Sequence, residues 1–380
     1  MSPATPAGVV ALDDYEAPAS ERLDANAWAY FAGGAADEIT LRANRDAWKA
    51  LWLQPRVLRP LAHGHTRVEL LGRMLAHPLL LAPVAYQRLA HPHGELGSAL
   101  AASAQGAGLV LSTQSSVPLE DVARAVRDDA QRGPLWFQLY LQGDRGFDLA
   151  LIRRAEAAGF EALVLTVDAP VHGARDRERR VGFSLPADVS AVHLHDAPPL
   201  PRGGELCGGL LQAATSWDDV AWLRSVTRLP LLLKGVLHAD DARLALAQGV
   251  DGLIVSNHGG RTLDTALPTA WALPRIADAL GGAMPLLVDG GIRRGTDVLK
   301  ALALGARAVL VGRPIVFALA AEGPEGVARA LRLLRDELEI AMALSGVSTL
   351  DAVPRDVLFE HSKSLLGAPW ERPGSAPGDA

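Results

Sequence analysis

Residues 231–257 read LLLKGVLHADDARLALAQGVDGLIVSN and hold two short apolar runs separated by a helix-like stretch. The runs LLLKGV and LIVSN do not alternate polar and apolar residues, which is what a parallel strand covered on both faces requires. Between them, ADDARLALAQG has acidic residues early, apolar residues at i, i+3 and i+4 spacing, and a glycine at its end, as a helix does. The stretch predicts a strand–helix–strand unit of a parallel sheet.

Runs of this kind occur eight times, with helical patterns between them. The predicted strands are Leu79–Pro83, Gly108–Ser112, Leu135–Tyr140, Ala162–Asp168, Pro230–Gly235, Gly252–Asn257, Pro285–Gly290 and Ala306–Gly312. Eight such repeats fit a closed (β/α)8 barrel or an open doubly wound sheet. The count favours the barrel, and so do the polar or Gly-rich residues just past nearly every strand, because barrels place their chemistry at that rim. We predict an α/β TIM barrel over approximately residues 75–345, within a single domain of residues 1–380.

Two segments fall outside this repeat. Ser20–Trp48 has a helical pattern and predicts an N-terminal helical cap on the barrel. Ser184–Ala213, after the fourth predicted strand, is rich in Pro, Gly, His and Asp and has little periodicity. We predict a long loop there, with residues 184–215 acting as a mobile lid or forming a tolerated disordered excursion.

The composition excludes several classes of protein. A formal charge of −6 over 380 residues gives no reason to expect nucleic acid or an anionic membrane as a partner. Met1–Val10 lacks the features of a signal peptide, and no window approaches the ~18 apolar residues of a membrane span. Cys207 is the only cysteine, which excludes an intramolecular disulfide and fits a cytoplasmic protein. His91 and His93 have metal-ligand spacing but no third ligand in view, so we expect no metal.

The segment SNHGGRTLD, residues 256–264, is the most informative for chemistry. It places His258 and Arg261 three residues apart on a Gly-rich turn after the sixth predicted strand. The planar guanidinium can hold a carboxylate through two parallel hydrogen bonds, and the imidazole can remove a proton from the neighbouring carbon or its hydroxyl. An isolated His-x-x-Arg is more often a turn cap and a salt bridge. The surrounding sequence must decide between these interpretations.

This segment resembles the signature of the FMN-dependent 2-hydroxy acid oxidase and dehydrogenase family, which includes glycolate oxidase, lactate oxidase and mandelate dehydrogenase. Other segments resemble the family in its own order, from about Tyr30 to the helix around Met342. They are YFAGGAADEITLRANRDAW, LAPVAYQRLAHPHGE, WFQLYLQGDR, LTVDAPVHGARDRE, LLLKGV and LVDGGIRRGTDVLKALALGARAVLVGRP. So many ordered matches favour the catalytic interpretation of His258 and Arg261.

The resemblance implies roles on the substrate side. His258 matches the catalytic base, and Asp168 matches the carboxylate that orients it, which fixes the imidazole tautomer and stabilises the imidazolium. On its own, Asp168 would be interpreted as a helix or turn cap, and Arg175, in the charged run ARDRERR, as a solvated arginine. The positions that hold the substrate carboxylate and hydroxyl are matched by Tyr30, Tyr140, Arg175 and Arg261.

The resemblance also implies FMN as the cofactor. Lys234 matches a lysine beside the pyrimidine edge of the flavin, where a cation stabilises the anionic reduced ring. An unpaired lysine ending so apolar a run would be costly, so we expect a negative partner for it. The positions contacting the ring and ribityl chain are matched by Ala82, Pro83, Val84, Ala85, Ser112, Gln138, Thr166 and Ser256. The positions near the phosphate are matched by Asp289, Gly291, Arg293, Gly312 and Arg313.

Two departures from the family bear on the choice of substrate. Gln114 stands where many members carry tryptophan, and His172 stands where they carry an apolar residue. Both positions line the side-chain end of the substrate in the family. We therefore predict a more polar pocket than that of glycolate oxidase, suited to an extra oxygen or a second carboxylate. Tyr86 resembles the residue of hydroxymandelate-type oxidases, which keeps an aromatic substrate open. The charged run after Arg175 also differs from the family's usual order.

We predict oxidation of a small L-2-hydroxy acid to the 2-oxo acid, with O2 reoxidising the flavin to give H2O2. A quinone- or cytochrome-linked dehydrogenase is the first alternative, but the loop after strand four lacks an apolar membrane-binding segment and no fused haem domain is present. A non-catalytic FMN-binding barrel is another. A different FMN or phosphate barrel also stays open, although an IMP-dehydrogenase-like enzyme would have to use Cys207. The resemblance further implies a homo-oligomer, a tetramer or an octamer.

Overall fold

The structure is a computed structural model that describes residues 8–198, 214–351 and 353–359. A two-stranded antiparallel hairpin, β1 (Val68–Leu70) and β2 (Arg73–Leu75), precedes a closed barrel of eight parallel strands. The barrel strands are β3 (Leu79–Leu81), β4 (Gly108–Leu111), β5 (Leu135–Leu139), β6 (Ala162–Thr166), β7 (Leu231–Val236), β8 (Gly252–Val255), β9 (Leu286–Val288) and β10 (Ala308–Val311). They follow one another in chain order, and β10 pairs with β3 to close the barrel. Each strand overlaps one predicted run, so the predicted (β/α)8 barrel is confirmed.

The barrel strands are buried on both faces, which explains why they do not alternate in sequence. Alternate side chains point into the barrel and form one apolar cluster. Its strand members include Leu80, Val110, Trp136, Val164, Leu232, Ile254, Leu287 and Leu310. Three hairpin residues, Val68, Leu70 and Leu75, pack against this interior. The hairpin was not predicted from the sequence, because its strands VEL and RML each include a charged residue and form no continuous apolar run.

Helices surround the barrel and precede it. They are α1 (Glu16–Arg22), α2 (Ala25–Ala32), α3 (Ile39–Ala50), α4 (Gly94–Gln105), α5 (Leu119–Val126), α6 (Arg145–Ala158), α7 (Asp176–Val181), α8 (Trp217–Val226), α9 (Ala239–Ala247), α10 (Thr269–Leu280), α11 (Gly295–Ala303) and α12 (Arg313–Ser345). The predicted cap corresponds to α1–α3, with α1 beginning earlier than expected. Within the described ranges, no helix is both long enough and apolar enough to cross a bilayer.

The long loop after β6 begins with α7, which packs against α2. Asn26 of α2 donates a hydrogen bond to the backbone carbonyl of Ser184, at 2.7 Å. Further along, His193 is buried and accepts a hydrogen bond from the backbone N–H of Leu119, at 2.9 Å. These hydrogen bonds attach the segment at Ser184 to the cap and at His193 to the start of α5. Residues 199–213, including Cys207, lie outside the described residues, so the lid prediction for 184–215 is covered only in part.

Candidate active site

A cavity of about 590 Å³ lies at the carboxyl ends of the barrel strands. Twenty of the 22 predicted site residues line it. They are Tyr30, Ala82, Pro83, Val84, Ala85, Ser112, Gln114, Gln138, Tyr140, Thr166, His172, Arg175, Lys234, His258, Arg261, Asp289, Gly291, Arg293, Gly312 and Arg313. The other two, Asp168 and Ser256, each hydrogen-bond to His258. The structure therefore brings together all the residues that the sequence singled out.

His258 follows β8 and has a left-handed backbone, with φ at 58°. Such a conformation is uncommon for a residue with a side chain, and it clusters at functional sites. Its Nδ1–H donates to Oδ1 of Asp168 at 2.9 Å, and its Nε2 lies 3.5 Å from the Tyr140 hydroxyl. Burial lowers the pKa of His258, although the Asp168 carboxylate acts in the opposite direction. The imidazole is therefore neutral at pH 7, with Nε2 able to accept a proton.

Asp168 can lie close to His258 because the residue of β7 packed against it, Gly235, has no side chain. Burial opposes ionisation of Asp168, but the charges of His258 and Lys234 and the imidazole hydrogen bond outweigh it and keep the pKa below its usual value. The register between β7 and β8 shifts between Lys234 and Val236. At the residue between them, Gly235, φ is 112°, and a Cβ atom would lie 2.5 Å from that of Asp168. Only glycine fits this approach.

Two phenols face the same region. Burial raises the pKa of both Tyr30 and Tyr140, so each stays protonated and can donate a hydrogen bond to a substrate oxygen. The guanidinium of Arg261 lies over the ring of Tyr30, with Cζ 4.9 Å from the ring centroid. Arg261 also donates from Nη1 to the backbone carbonyls of Tyr30 and Gly33. These bonds fix the arginine against the end of α2.

The two predicted substrate arginines share a carboxylate that the sequence analysis did not identify. Oε1 of Glu178 lies 3.3 Å from Nη1 of Arg175 and 3.3 Å from Nη2 of Arg261. Nε of Arg175 is buried with no hydrogen-bond partner among residues 8–198, 214–351 and 353–359, so it has a donor to offer a ligand. Glu178 follows Arg175 by one helical turn, and that spacing was the only signal in the sequence that pointed to it.

Lys234 has the negative partner expected of it. Its Nζ lies 3.4 Å from Oδ2 of Asp289 and donates to Oγ of Ser256 at 3.1 Å. The lysine side chain is 4% exposed, so the ammonium is held almost entirely out of water. Burial of a cation is tolerated when it is paired and hydrogen-bonded in this way.

The residues around Lys234 fit a flavin. Two buried polar atoms at the cavity wall, Nε2 of Gln138 and Oδ1 of Asp289, have no hydrogen-bond partner in the part of the chain that the structure describes. Leaving such atoms unsatisfied is costly, so their presence indicates a ligand with both acceptor and donor groups. An isoalloxazine edge and a ribityl hydroxyl offer these groups. The adjoining wall formed by residues 82–85 is largely apolar, as a ring system requires.

The predicted phosphate end differs in detail from the expectation. The Arg313 guanidinium donates to three backbone carbonyls, those of Phe31 at 3.0 Å, Gly259 at 2.8 Å and Gly33 at 2.7 Å. It lines the cavity, but its donors connect the loop of His258 to the end of α2. Arg293 contacts Oδ1 of Asp13 through Nε at 3.1 Å. Gly291 and Gly312 line the cavity beside these arginines, where their backbones can approach a phosphate.

The side-chain end of the substrate site is more aromatic than the sequence suggested. Gln114 and His172, which we predict to face the side chain of the substrate, line the cavity, and burial and the charge of Arg175 lower the pKa of His172. Tyr86 also lines the cavity, and burial raises its pKa to about 12. Phe183 was not predicted from the sequence, and its ring stacks on Tyr30 with centroids 5.0 Å apart. An aromatic residue just after a charged helix was the available signal.

The histidine pair that we discounted as metal ligands lies outside the cavity lining. The rings of His91 and His93 contact each other edge to face, with centroids 5.1 Å apart. In the part of the chain that the structure describes, no group of three or more His, Cys, Asp or Glu side chains could hold a metal ion.

Comparison with known proteins identifies the family of this chain. The profile of the family described as FMN-dependent dehydrogenase matches residues 19–360. An L-lactate oxidase from Alicycliphilus denitrificans is 49% identical over 94% of this chain and 99% of its own length. Glycolate oxidase from Spinacia oleracea is 41% identical over 96% of this chain and 97% of its own. A solved mandelate oxidase with (S)-2-phenylpropionate is 44% identical, with a TM-score of 0.83, over 92% of this chain and 98% of that one. The chain belongs to the FMN-dependent dehydrogenase family.

Proposed function

We propose that this protein is an FMN-dependent oxidase that converts a small L-2-hydroxy acid to the 2-oxo acid and reduces O2 to H2O2. The observation that carries the proposal is one cavity wall where Nε2 of His258, backed by Asp168, faces the same space as Arg175 and Arg261. Lactate and glycolate oxidases cover nearly the whole chain at 49% and 41% identity, which supports oxygen as the electron acceptor.

In this proposal, the residues of the site have separate roles. Arg175, Arg261 and Tyr30 hold the substrate carboxylate, since charged forks and a phenol supply matching donors. Tyr140 hydrogen-bonds the substrate hydroxyl, because its own hydroxyl lies 3.5 Å from Nε2 of His258. His258 removes a proton at Nε2, from the hydroxyl or from the α-carbon. The imidazolium that forms is stabilised by Asp168.

FMN, when bound, supplies the acceptor for the two electrons that leave the substrate. The pairing of Lys234 with Asp289 leaves a buried ammonium beside the predicted ring position, where it favours negative charge. Nε2 of Gln138 and Oδ1 of Asp289 offer a donor and an acceptor that have no partner among the described residues. We propose that the remaining predicted cofactor residues also contact FMN.

Two measurements on the purified holoenzyme test the proposal. Under anaerobic conditions, L-lactate or another 2-hydroxy acid should bleach the flavin absorbance and yield the 2-oxo acid. Under air, one H2O2 should form for each acid oxidised. Turnover only with a dye or quinone would instead identify a dehydrogenase, and no bleaching with any 2-hydroxy acid would favour a non-catalytic FMN protein.

The lining suggests a substrate with a neutral polar or aromatic side chain. Gln114 and His172 offer neutral hydrogen-bonding groups, and Tyr86 and Phe183 flank Tyr30, at 5.8 and 5.0 Å between ring centroids. Mandelate oxidases are among the similar structures, which supports an aromatic acid as the second candidate. Comparing turnover of glycolate, lactate, mandelate, malate and tartrate would rank these possibilities. A clear preference for glycolate would contradict the polar-pocket interpretation.

Three broader expectations belong to the same proposal. We propose that residues 1–380 act as one domain, that the protein is a homo-oligomer and that it resides in the cytoplasm. The single cysteine supports a reducing compartment. Light scattering of the purified protein and fractionation of the cells that make it would test these statements.

A further inference from the structure

Glu178 places a fixed negative charge among the groups assigned to the substrate. It belongs to α7 and lines the same cavity as the two arginines. Its Oε1 is equidistant from Arg175 and Arg261, at 3.3 Å from each guanidinium. The three side chains are 15% exposed or less, so water screens their charges poorly.

The charges of these three side chains determine what they can bind. Two guanidiniums and one carboxylate carry one net positive charge, which a single substrate carboxylate neutralises. A dicarboxylate would instead leave one excess negative charge in a poorly hydrated space, and that is costly. We propose that Glu178 is a specificity-determining residue that restricts the site to monocarboxylate 2-hydroxy acids. This inference rests on the proposed function.

Among the described residues predicted to face the side chain of the substrate, Gln114 and His172 carry no charge that could compensate a second carboxylate. Burial, together with Arg175, lowers the pKa of His172, so this residue is neutral at pH 7 even though Glu178 raises that pKa. Gln114 is uncharged, and Lys234 is already paired with Asp289 at 3.4 Å. The polar residues at this end therefore suit an extra hydroxyl or carbonyl group of the substrate. A second carboxylate, which the sequence analysis had left open, is disfavoured.

The Glu178→Gln substitution separates charge from geometry. Glutamine keeps an oxygen that can accept from both guanidiniums, but it removes the negative charge. Glu178→Asp keeps the charge with a side chain one methylene shorter. Asp176→Asn is the matched control. It removes a carboxylate from the same helix, and that carboxylate pairs with Arg179 rather than with the substrate arginines.

The measurement uses two non-reactive probes, propionate and succinate, which differ by one carboxylate. Their binding to each holoenzyme is measured by calorimetry, and kcat/KM is measured with L-lactate and L-malate. The parent should bind propionate at least about tenfold more tightly than succinate. In the glutamine variant, affinity for succinate should rise at least about tenfold more than affinity for propionate, and malate should gain on lactate. The Glu178→Asp and Asp176→Asn variants should keep the parent's preference.

Two results would overturn the inference. One is a parent protein that binds succinate as tightly as propionate. This result does not depend on whether any variant folds. The other is a folded, FMN-loaded Glu178→Gln protein in which both probes change by the same factor. Either result leaves the proposed function intact if lactate still bleaches the flavin. A parent that no 2-hydroxy acid reduces would instead reject the proposed function itself.

Discussion

The Asp168→Asn substitution tests the proposed base most directly. Oδ1 of Asp168 lies 2.9 Å from Nδ1 of His258, and neither side chain is more than 19% exposed. Once the imidazole is protonated, the two charge centres are about 4 Å apart, which at an effective dielectric constant of about 20 corresponds to about 4 kcal/mol. Each 1.4 kcal/mol is about a factor of ten in rate, so the substitution should slow flavin reduction about 10³-fold.

The assay is anaerobic stopped-flow reduction of the bound flavin by L-lactate as a function of pH. In the parent, the second-order rate constant should rise with pH and level off above the pKa of His258, which burial holds below the usual value of a histidine. Without the carboxylate that raises this pKa, the acid limb should move to still lower pH while the plateau falls. Asp46→Asn, on the exposed face of α3, is the control. A plateau within tenfold of the parent, or a limb displaced to higher pH, would refute the reasoning.

Three other substitutions test residues that pair with, position or stack on the groups of the site. Lys234→Met leaves Asp289 buried without its cation, so the free energy of unfolding should fall by about 3 kcal/mol in urea titrations, and a loss below about 1 kcal/mol would contradict the pairing. A lysine at position 313 cannot bond all three backbone carbonyls that Arg313 contacts, so kcat/KM for lactate should fall at least about tenfold in Arg313→Lys. An unchanged value would show that these bonds do not position the loop of His258 against α2. Phe183→Ala removes the ring stacked on Tyr30, so KM for mandelate should rise about three- to tenfold more than KM for lactate. Equal changes would remove Phe183 from substrate recognition.

The fold was predictable because each barrel strand carries its own local signal. A run such as LLLKGV is apolar throughout, and the structure shows both faces of β7 buried. The break of α12 also had a local signal that the prediction did not use, because the dipeptide Gly323-Pro324 interrupts a helix, and φ of Gly323 is 67°. The hairpin β1–β2 was missed because its strands VEL and RML include charged residues and form no continuous apolar run. Strand length did not decide the outcome, since β3 and β9 also have three residues and were predicted.

The site was predictable to the extent that its residues follow strand ends. Lys234 lies in the carboxyl-terminal half of β7 and His258 follows β8, so barrel geometry brings them to one rim. Contacts between distant segments were not predictable. Glu178 meets Arg261 across 83 positions of the chain, and Arg313 meets Gly33 across 280. Sequence patterns reveal which side chains can do chemistry, whereas these pairings depend on how loops from different strands pack together.

The ion pairs at the site explain why the charge of the substrate should matter. Most cations nearest the proposed reaction centre have a carboxylate of their own. These pairs are Lys234 with Asp289, the protonated form of His258 with Asp168, and Arg175 with Arg261 sharing Glu178. Of these three groups, the last keeps one positive charge unmatched, and a buried unmatched charge is costly until an anion pairs with it. The proposed discrimination against a second carboxylate therefore follows from this charge balance.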